Sequence, residues 1–199
     1  MQRVTQGVRR LPAWSVYVGG GLWAVLLFWQ AATGRLGVEP IQALEHDYGI
    51  AALILLLVGL SITPLRRIAG LNLLKFRRAI GLTAFFFILC HLSVWAFLDQ
   101  GAFDRIWADI VKRPYITIGM LGFALSLPLA LTSNDRSVRR LGRRWRLLHR
   151  LTYAVVILAC VHFIMLRKGI QFEPAMYLVV CLLLLGIRFQ KWMSRRNPA

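Results

Sequence analysis

The chain reads as an all-α integral membrane protein. Six transmembrane helices form one bundle, residues 1–199 make a single domain, and both termini lie on the cytoplasmic side. Three observations carry this reading. Hydrophobic residues make up 58% of the 199 positions, above the roughly 45–50% of a soluble domain. Six apolar stretches follow one another, each near the roughly 20 residues that cross about 30 Å of hydrocarbon as a helix. Basic residues also alternate in density from loop to loop, as the positive-inside rule requires.

The predicted spans run about 14–32, 48–63, 79–98, 115–131, 147–166 and 175–192. Pro64 closes the second span, Pro114 precedes the fourth and Pro174 opens the sixth, positions where a missing N–H is tolerated. Pro128 lies inside the fourth span and predicts a kink near its end. Arg188 and Lys191 fall within the sixth span and must snorkel to the interface. The first span is read as a retained anchor, because the apolar run after Arg9 and Arg10 lacks a small-x-small cleavage site.

One side of the bundle carries Arg3, Arg9, Arg10, Arg66, Arg67, Lys75, Arg77 and Arg78. It also carries Arg136, Arg139, Arg140, Arg143, Arg144, Arg146, Arg150, Arg188, Lys191, Arg195 and Arg196, against the single acid Asp135. The other side sets Arg35, Arg105, Lys112, Arg113, Arg167 and Lys168 against Glu39, Glu45, Asp47, Asp99, Asp104, Asp109 and Glu173. The formal charge of +17 is therefore a topological signal. The basic side is cytoplasmic and faces membrane lipid, and nucleic acid is not a partner. Leu141, Trp145 and Leu148, spaced i, i+4, i+7 among arginines, predict an amphipathic stretch on the inner leaflet. Cys90, Cys160 and Cys181 all lie in apolar runs, which leaves no exposed pair for a structural disulfide and no CxxC metal motif.

In such a chain chemistry belongs to ionisable residues at membrane depth, because placing them there costs free energy without partners. His91 and His162 qualify. Both sit on spans running from the inner to the outer side, 7 and 4 residues before their outer ends at Leu98 and Leu166. Two neutral imidazoles at matched depth on the third and fifth spans supply both axial ligands of a haem iron between those helices. Alternatively, each histidine hydrogen-bonds a main-chain carbonyl or a Ser/Thr hydroxyl on a neighbouring helix. No CxxCH is present, so any haem is b-type.

His149 lies 13 residues before His162, about 20 Å down the same helix. It is a candidate ligand for a second, inner cofactor, although thirteen residues do not return to one helical face. The position 14 residues before His91 is Arg77, either a partner for a propionate or phosphate or a simple inner-face anchor. His46 offers three readings, a ligand, a propionate partner or a helix-entry residue, of which helix entry is preferred, with the Asp47 side chain as a candidate N-cap. Phe85, Phe86, Phe87, Trp95, Phe97, Tyr153 and Phe163 are available to line a porphyrin, against the commoner lipid-facing role.

Several segments together resemble one family: Glu45-His46 through Gly49, LSITPLRR at 60–67, RRAIGL at 77–82, Cys90-His91-Leu92, Arg113-Pro114-Tyr115, and RLGRRWRLLHRLTY at 140–153 followed by His162. This family is the haem-binding membrane subunit of the bacterial periplasmic protein-methionine-sulfoxide reductase system, within the ferric-reductase-like transmembrane group. The resemblance covers nearly the whole chain. It implies a b-type cytochrome of the inner membrane with one or two haems, in which His91 and His162 hold the outer haem and His149 serves an inner cofactor. It also implies a periplasmic molybdenum-cofactor partner that reduces methionine sulfoxide. The electron donor is then the quinone pool or a cytoplasmic flavin reductase. Family members are associated with FMN, for which the sequence shows no flavin motif. Arg77 stands where the wider ferric-reductase pattern has a second histidine on the third span. No Rossmann-like glycine motif follows the last span, so the chain draws no hydride electrons by itself.

A reading from another class is a small transporter or proton channel using His91, His149 and His162 as a relay. The spans offer it no acidic residue and no repeated broken helices.

Overall fold

The computed structural model describes residues 11–166 and 171–194, with side chains through 189 in the second stretch. Arg3, Arg9, Arg10, Arg167, Lys168, Arg195 and Arg196, and the side chain of Lys191, lie outside the described residues. The described chain is helical throughout, without strands. Its helices are α1 (Trp14–Ala32), α2 (Pro40–Ile68), α3 (Arg77–Ser93), α4 (Phe103–Lys112), α5 (Pro114–Leu131), α6 (Asp135–Leu141), α7 (Arg143–Leu148), α8 (Leu151–Leu166) and α9 (Phe172–Ser194). A 3₁₀ turn, Leu74–Phe76, leads into α3, and a π-helical stretch, Val94–Gln100, continues it to Gly101. Six segments are long and apolar enough to cross a membrane: α1, α2, Leu74–Gln100, α5, Arg143–Leu166 and Phe172–Phe189.

Four of these make a closed ring. α2 packs most extensively on α3 and α5 on α8, while α3 meets α5 and α8 meets α2 to complete the circuit. α1 leans on α2 and α3, and α9 on α8 and α2. Lipid gives helices no hydrophobic drive to associate, so close approach and interhelical hydrogen bonds must hold them. α1 shows both. At Gly20 it comes so near α3 that an added Cβ would collide with the Thr83 methyl group. Its Ala24 carbonyl accepts a hydrogen bond from the Tyr48 hydroxyl at 2.9 Å. Phe87, fully buried, packs edge-on to Trp23 with centroids 5.3 Å apart.

Several expected boundaries move. α2 begins at Pro40, in the first helical position, eight residues before the expected start. His46 and Asp47 consequently lie inside the helix, and Asp47 is not an N-cap; the residue before the helix is Glu39, whose side chain caps nothing. At the other end Pro64 does not close the span but sits buried within α2. A proline there removes the N–H that would bond the carbonyl four residues back, which is that of Leu60. Arg188 supplies the missing donor, since its Nη2 lies 2.5 Å from the Leu60 oxygen and 3.1 Å from Thr63 Oγ1, and its Nη1 donates to the Tyr153 hydroxyl at 3.0 Å. Arg188 therefore turns into the bundle and ties α9 to α2 and α8 rather than snorkelling.

Pro114 does open α5 and Pro128 lies in its last turn. Pro174 falls in the first turn of α9, two residues after its start. The basic loop forms α6 and α7, broken at Gly142 (φ 49°), so Leu141 lies on a different helix from Trp145 and Leu148 and the three half-buried residues do not make one continuous amphipathic stretch. The outer loop contains a further helix, α4, along which Phe103, Trp107 and Val111 form an exposed stripe.

Candidate functional site

Inside the four-helix ring lies a cavity of about 720 Å³, within the roughly 300–1,000 Å³ of pockets that enclose a small molecule or cofactor. Leu53 and Leu56 of α2, Ile88 of α3, Phe123 of α5, and Val155 and Ala159 of α8 are among its apolar walls. His91 and His162 line it from α3 and α8. Their ring centroids are 6.2 Å apart and their planes stand at 81°.

The hydrogen bonds fix the protonation of each ring. His91 Nδ1 lies 2.8 Å from the Glu45 carbonyl and His162 Nδ1 lies 2.7 Å from the Tyr115 carbonyl. A carbonyl only accepts, so each Nδ1 carries the proton and donates it, leaving Nε2 with a free lone pair. Metal-bound histidines are held by this same arrangement, the non-ligating N–H given to a main-chain acceptor. Two imidazoles on opposite sides of one metal, with metal–nitrogen bonds of about 2 Å, place their ring centres about 6 Å apart. The pair meets that separation.

Two donors alone do not seat a bare metal ion, which asks for three or four protein ligands. Among the described residues no group of three or more His, Cys, Asp or Glu gathers to hold one. An imidazole pair in an apolar cavity fits a metal that brings its own in-plane donors, as a porphyrin does. The chemistry of the donor set and the dimensions of the cavity therefore agree with haem.

The remaining candidates are placed as follows. His46 lines the cavity from α2, with its ring 5.6 Å from Phe163. Trp95 and Phe163 also line it, whereas Phe85 stacks on Phe123 at 6.2 Å and Phe86 and Phe97 are exposed on the outside of the bundle. Glu39, Glu45, Asp99 and Arg113 surround the outer mouth, where Arg113 Nε pairs with Asp109 at 3.2 Å. His149 is not part of this cavity. It stands at the break between α7 and α8 rather than on a continuous helix, with its ring under Trp145 at 3.9 Å and its Nε2 3.0 Å from Thr132 Oγ1. Thr132 Oγ1 gives its own proton to the Pro128 carbonyl at 2.6 Å, so His149 Nε2 is the donor and Nδ1 holds the lone pair. Arg77, at the start of α3, lies within electrostatic reach of both His149 and Arg188.

Four participants escape a reading by residue type: the carbonyls of Glu45 and Tyr115, and Gly49 and Gly119, which line the cavity beside the rings. Main-chain acceptors leave no trace in side-chain identity. The recurrence of glycine four residues after each acceptor is the one signal that the sequence carries.

Comparison with known proteins converges on the same chemistry. The family model of the ferric reductase like transmembrane component matches residues 48–160. The protein-methionine-sulfoxide reductase heme-binding subunit MsrQ of Agrobacterium fabrum is 49% identical over 179 residues, 88% of this chain and 82% of the relative. The subunits of the same name from Brucella ovis and Brucella canis are each 45% identical over 188 residues, 94% of this chain and 86% of theirs. No solved structure matches. With identities of this size over most of both partners, the chain belongs to the MsrQ family of protein-methionine-sulfoxide reductase heme-binding subunits, within the ferric-reductase-like transmembrane proteins.

Proposed function

We propose that this chain is the b-type cytochrome subunit of a methionine-sulfoxide reductase system in the bacterial inner membrane. It carries electrons one at a time from the quinone pool or a cytoplasmic flavin reductase to a periplasmic molybdenum-cofactor partner. The observation that carries this reading is the facing pair of imidazoles, each anchored through Nδ1–H on a main-chain carbonyl. When bound, haem supplies the one-electron ferric/ferrous couple. The chain does the rest. His91 and His162, from α3 and α8, would hold the haem iron through Nε2, the nitrogen that the Nδ1–H bonds leave free. The Glu45 and Tyr115 carbonyls hold the rings in one tautomer and raise their basicity, which would favour the oxidised form of a bound haem. Leu53, Ile88, Phe123 and Val155 line the cavity with apolar side chains that would exclude water from a bound haem.

The basic loops on one side orient the bundle with the cavity toward the periplasm, where the partner acts. Reduction of a methionine sulfoxide consumes two electrons and two protons and releases water at that partner. His149, within electrostatic reach of Arg77 at the cytoplasmic end, serves a second cofactor or the donor. The longer α2 brings Glu45 into the span and to the cavity, but the two cavity histidines commit their Nδ1 protons to main-chain carbonyls, which pass no proton on, and this weighs against the histidine proton relay.

The test is a reduced-minus-oxidised absorption spectrum of the purified protein with haem content measured by pyridine extraction. A b-type spectrum that disappears in His91→Ala and in His162→Ala is expected, with both variants still inserted. Haem retained in both variants would sink the ligand assignment.

A further inference from the structure

The two halves of the cavity repeat one contact. In the first, His91 of α3 lies against α2, bonded to the Glu45 carbonyl, and Gly49 sits one turn further along α2. A Cβ at Gly49 would stand 3.2 Å from His91 Nδ1 and 3.4 Å from Cε1. In the second, His162 of α8 lies against α5, bonded to the Tyr115 carbonyl, and Gly119 sits one turn further along α5. A Cβ there would stand 2.9 Å from His162 Nδ1 and 3.0 Å from Cε1. The acceptor precedes its histidine by 46 residues in one half and 47 in the other. Glu45 and Tyr115 have no side-chain chemistry in common. The shared elements are a main-chain carbonyl and a missing Cβ four residues on.

Helix geometry explains the spacing. Residues i and i+4 lie one above the other on one face, so a ring reaching the carbonyl of residue i must lie across residue i+4. Any side chain there occupies the space of the ring. The carbonyl has a second lone pair and can accept from imidazole while keeping its helical bond. Glycine inside a helix costs roughly 0.5–1 kcal/mol relative to alanine, and here the close approach of the ring accounts for it.

We infer that Gly49 and Gly119 are paired positioning residues, each clearing the turn of helix on which an axial imidazole rests so that its Nδ1–H reaches the carbonyl four residues back. This rests on the proposed ligation of haem by His91 and His162. An added methyl group tilts or lifts the ring, weakens the Nδ1–H bond and so lowers the basicity of the ligand.

The experiment uses the full-length, haem-loaded protein with Gly49→Ala, Gly119→Ala and, as control, Gly186→Ala, whose Cβ meets nothing within 4 Å. A merely structural glycine predicts unchanged or greater stability and an unchanged haem, because alanine favours the helix. The inference predicts shifted g values in the ferric EPR spectrum, which follow the angle between the imidazole planes, and a raised midpoint potential. The shift is larger for Gly119→Ala than for Gly49→Ala, and Gly186→Ala is silent. Loss of haem from Gly119→Ala with normal insertion also supports it. If Gly119→Ala does not accumulate, Gly49→Ala, with its looser contact, carries the same measurement. Wild-type g values and potential in the glycine variants overturn the inference while His91→Ala and His162→Ala still lose haem. Haem retained in the histidine variants overturns the ligation reading instead.

Discussion

The two ends of the helical ring hold their histidines by different means. At the outer end His91 and His162 are anchored by Nδ1 on main-chain carbonyls and face each other across an apolar cavity. At the inner end His149 is anchored by Nε2 on a threonine hydroxyl and covered by an indole, in a break between two helices. A main-chain acceptor within a helix cannot rotate away, so the outer rings are set before any metal arrives. The inner ring depends on side chains that can turn, so it is adjustable. His149 and His162, both within the segment Arg143–Leu166, thus differ in preorganisation, and the difference lies in what the second nitrogen touches.

The largest expected effect separates the ends directly. His91→Ala or His162→Ala abolishes the outer haem signal, whereas His149→Ala leaves that signal in place and removes only the inner cofactor or the response to the cytoplasmic donor. Pyridine extraction with redox titration reads both, and equal behaviour of all three variants would erase the contrast.

Next comes the inner stitch. Arg188→Leu removes hydrogen bonds to Leu60, Thr63 and Tyr153. At about 0.6 kcal/mol for an average interhelical bond, the loss is about 2 kcal/mol in a detergent unfolding titration. Pro64→Ala returns an N–H to the Leu60 carbonyl, so the double variant should lose less than Arg188→Leu alone. Simple additivity would show that the two residues are not coupled.

A smaller effect is expected of Thr132→Val, which keeps the shape but removes the acceptor for His149 Nε2–H. The outer haem keeps its potential, and the inner signal changes or broadens as the ring turns. A shift of the outer potential instead would show that the ends are not independent.

The smallest concerns the exposed pair of Arg78 and Asp135, whose nitrogen and oxygen are 2.6 Å apart. The Arg78 hydrogen bond and charge hold the Asp135 carboxyl below its usual range. A depressed acid stabilises the fold above its ordinary pKa and loses that contribution as pH falls through its folded value. Wild type should therefore exceed Asp135→Asn slightly in melting temperature at pH 7, and the gap should close below about pH 4. A gap that persists in acid would assign the effect to something other than the carboxylate.

Much of this was legible in the residues. Six apolar runs and an alternating charge require six spans, and the outer histidines stand at comparable depth because both lie a few residues from the outer ends of like-directed helices. The misread features have a common cause. Pro64 looks like a terminator until Arg188, 124 positions away, donates to the carbonyl that it orphans. The segment from Pro40 to Asp47 is too polar to read as a span, yet it is the first part of α2 and lines the cavity mouth through Gln42, Glu45 and His46. The π-helical Val94–Gln100 packs on α2 and α4 and no local periodicity announces it, whereas α4 does carry a helical signal, Phe103, Trp107 and Val111 at i, i+4 and i+8, in a segment too short to read as a span.

By itself, then, the sequence determined what the bilayer demands: six apolar segments of spanning length, an uneven charge between the loops that join them, and two ionisable side chains within apolar runs. Hydrocarbon acts on each segment separately, so its demands are written locally. Only the tertiary structure decided which nitrogen of each histidine is free, which carbonyls hold the rings, and why glycine stands at 49 and 119. Those depend on main-chain atoms of partner helices 42 to 47 residues away, and a main-chain atom is the same whatever residue carries it.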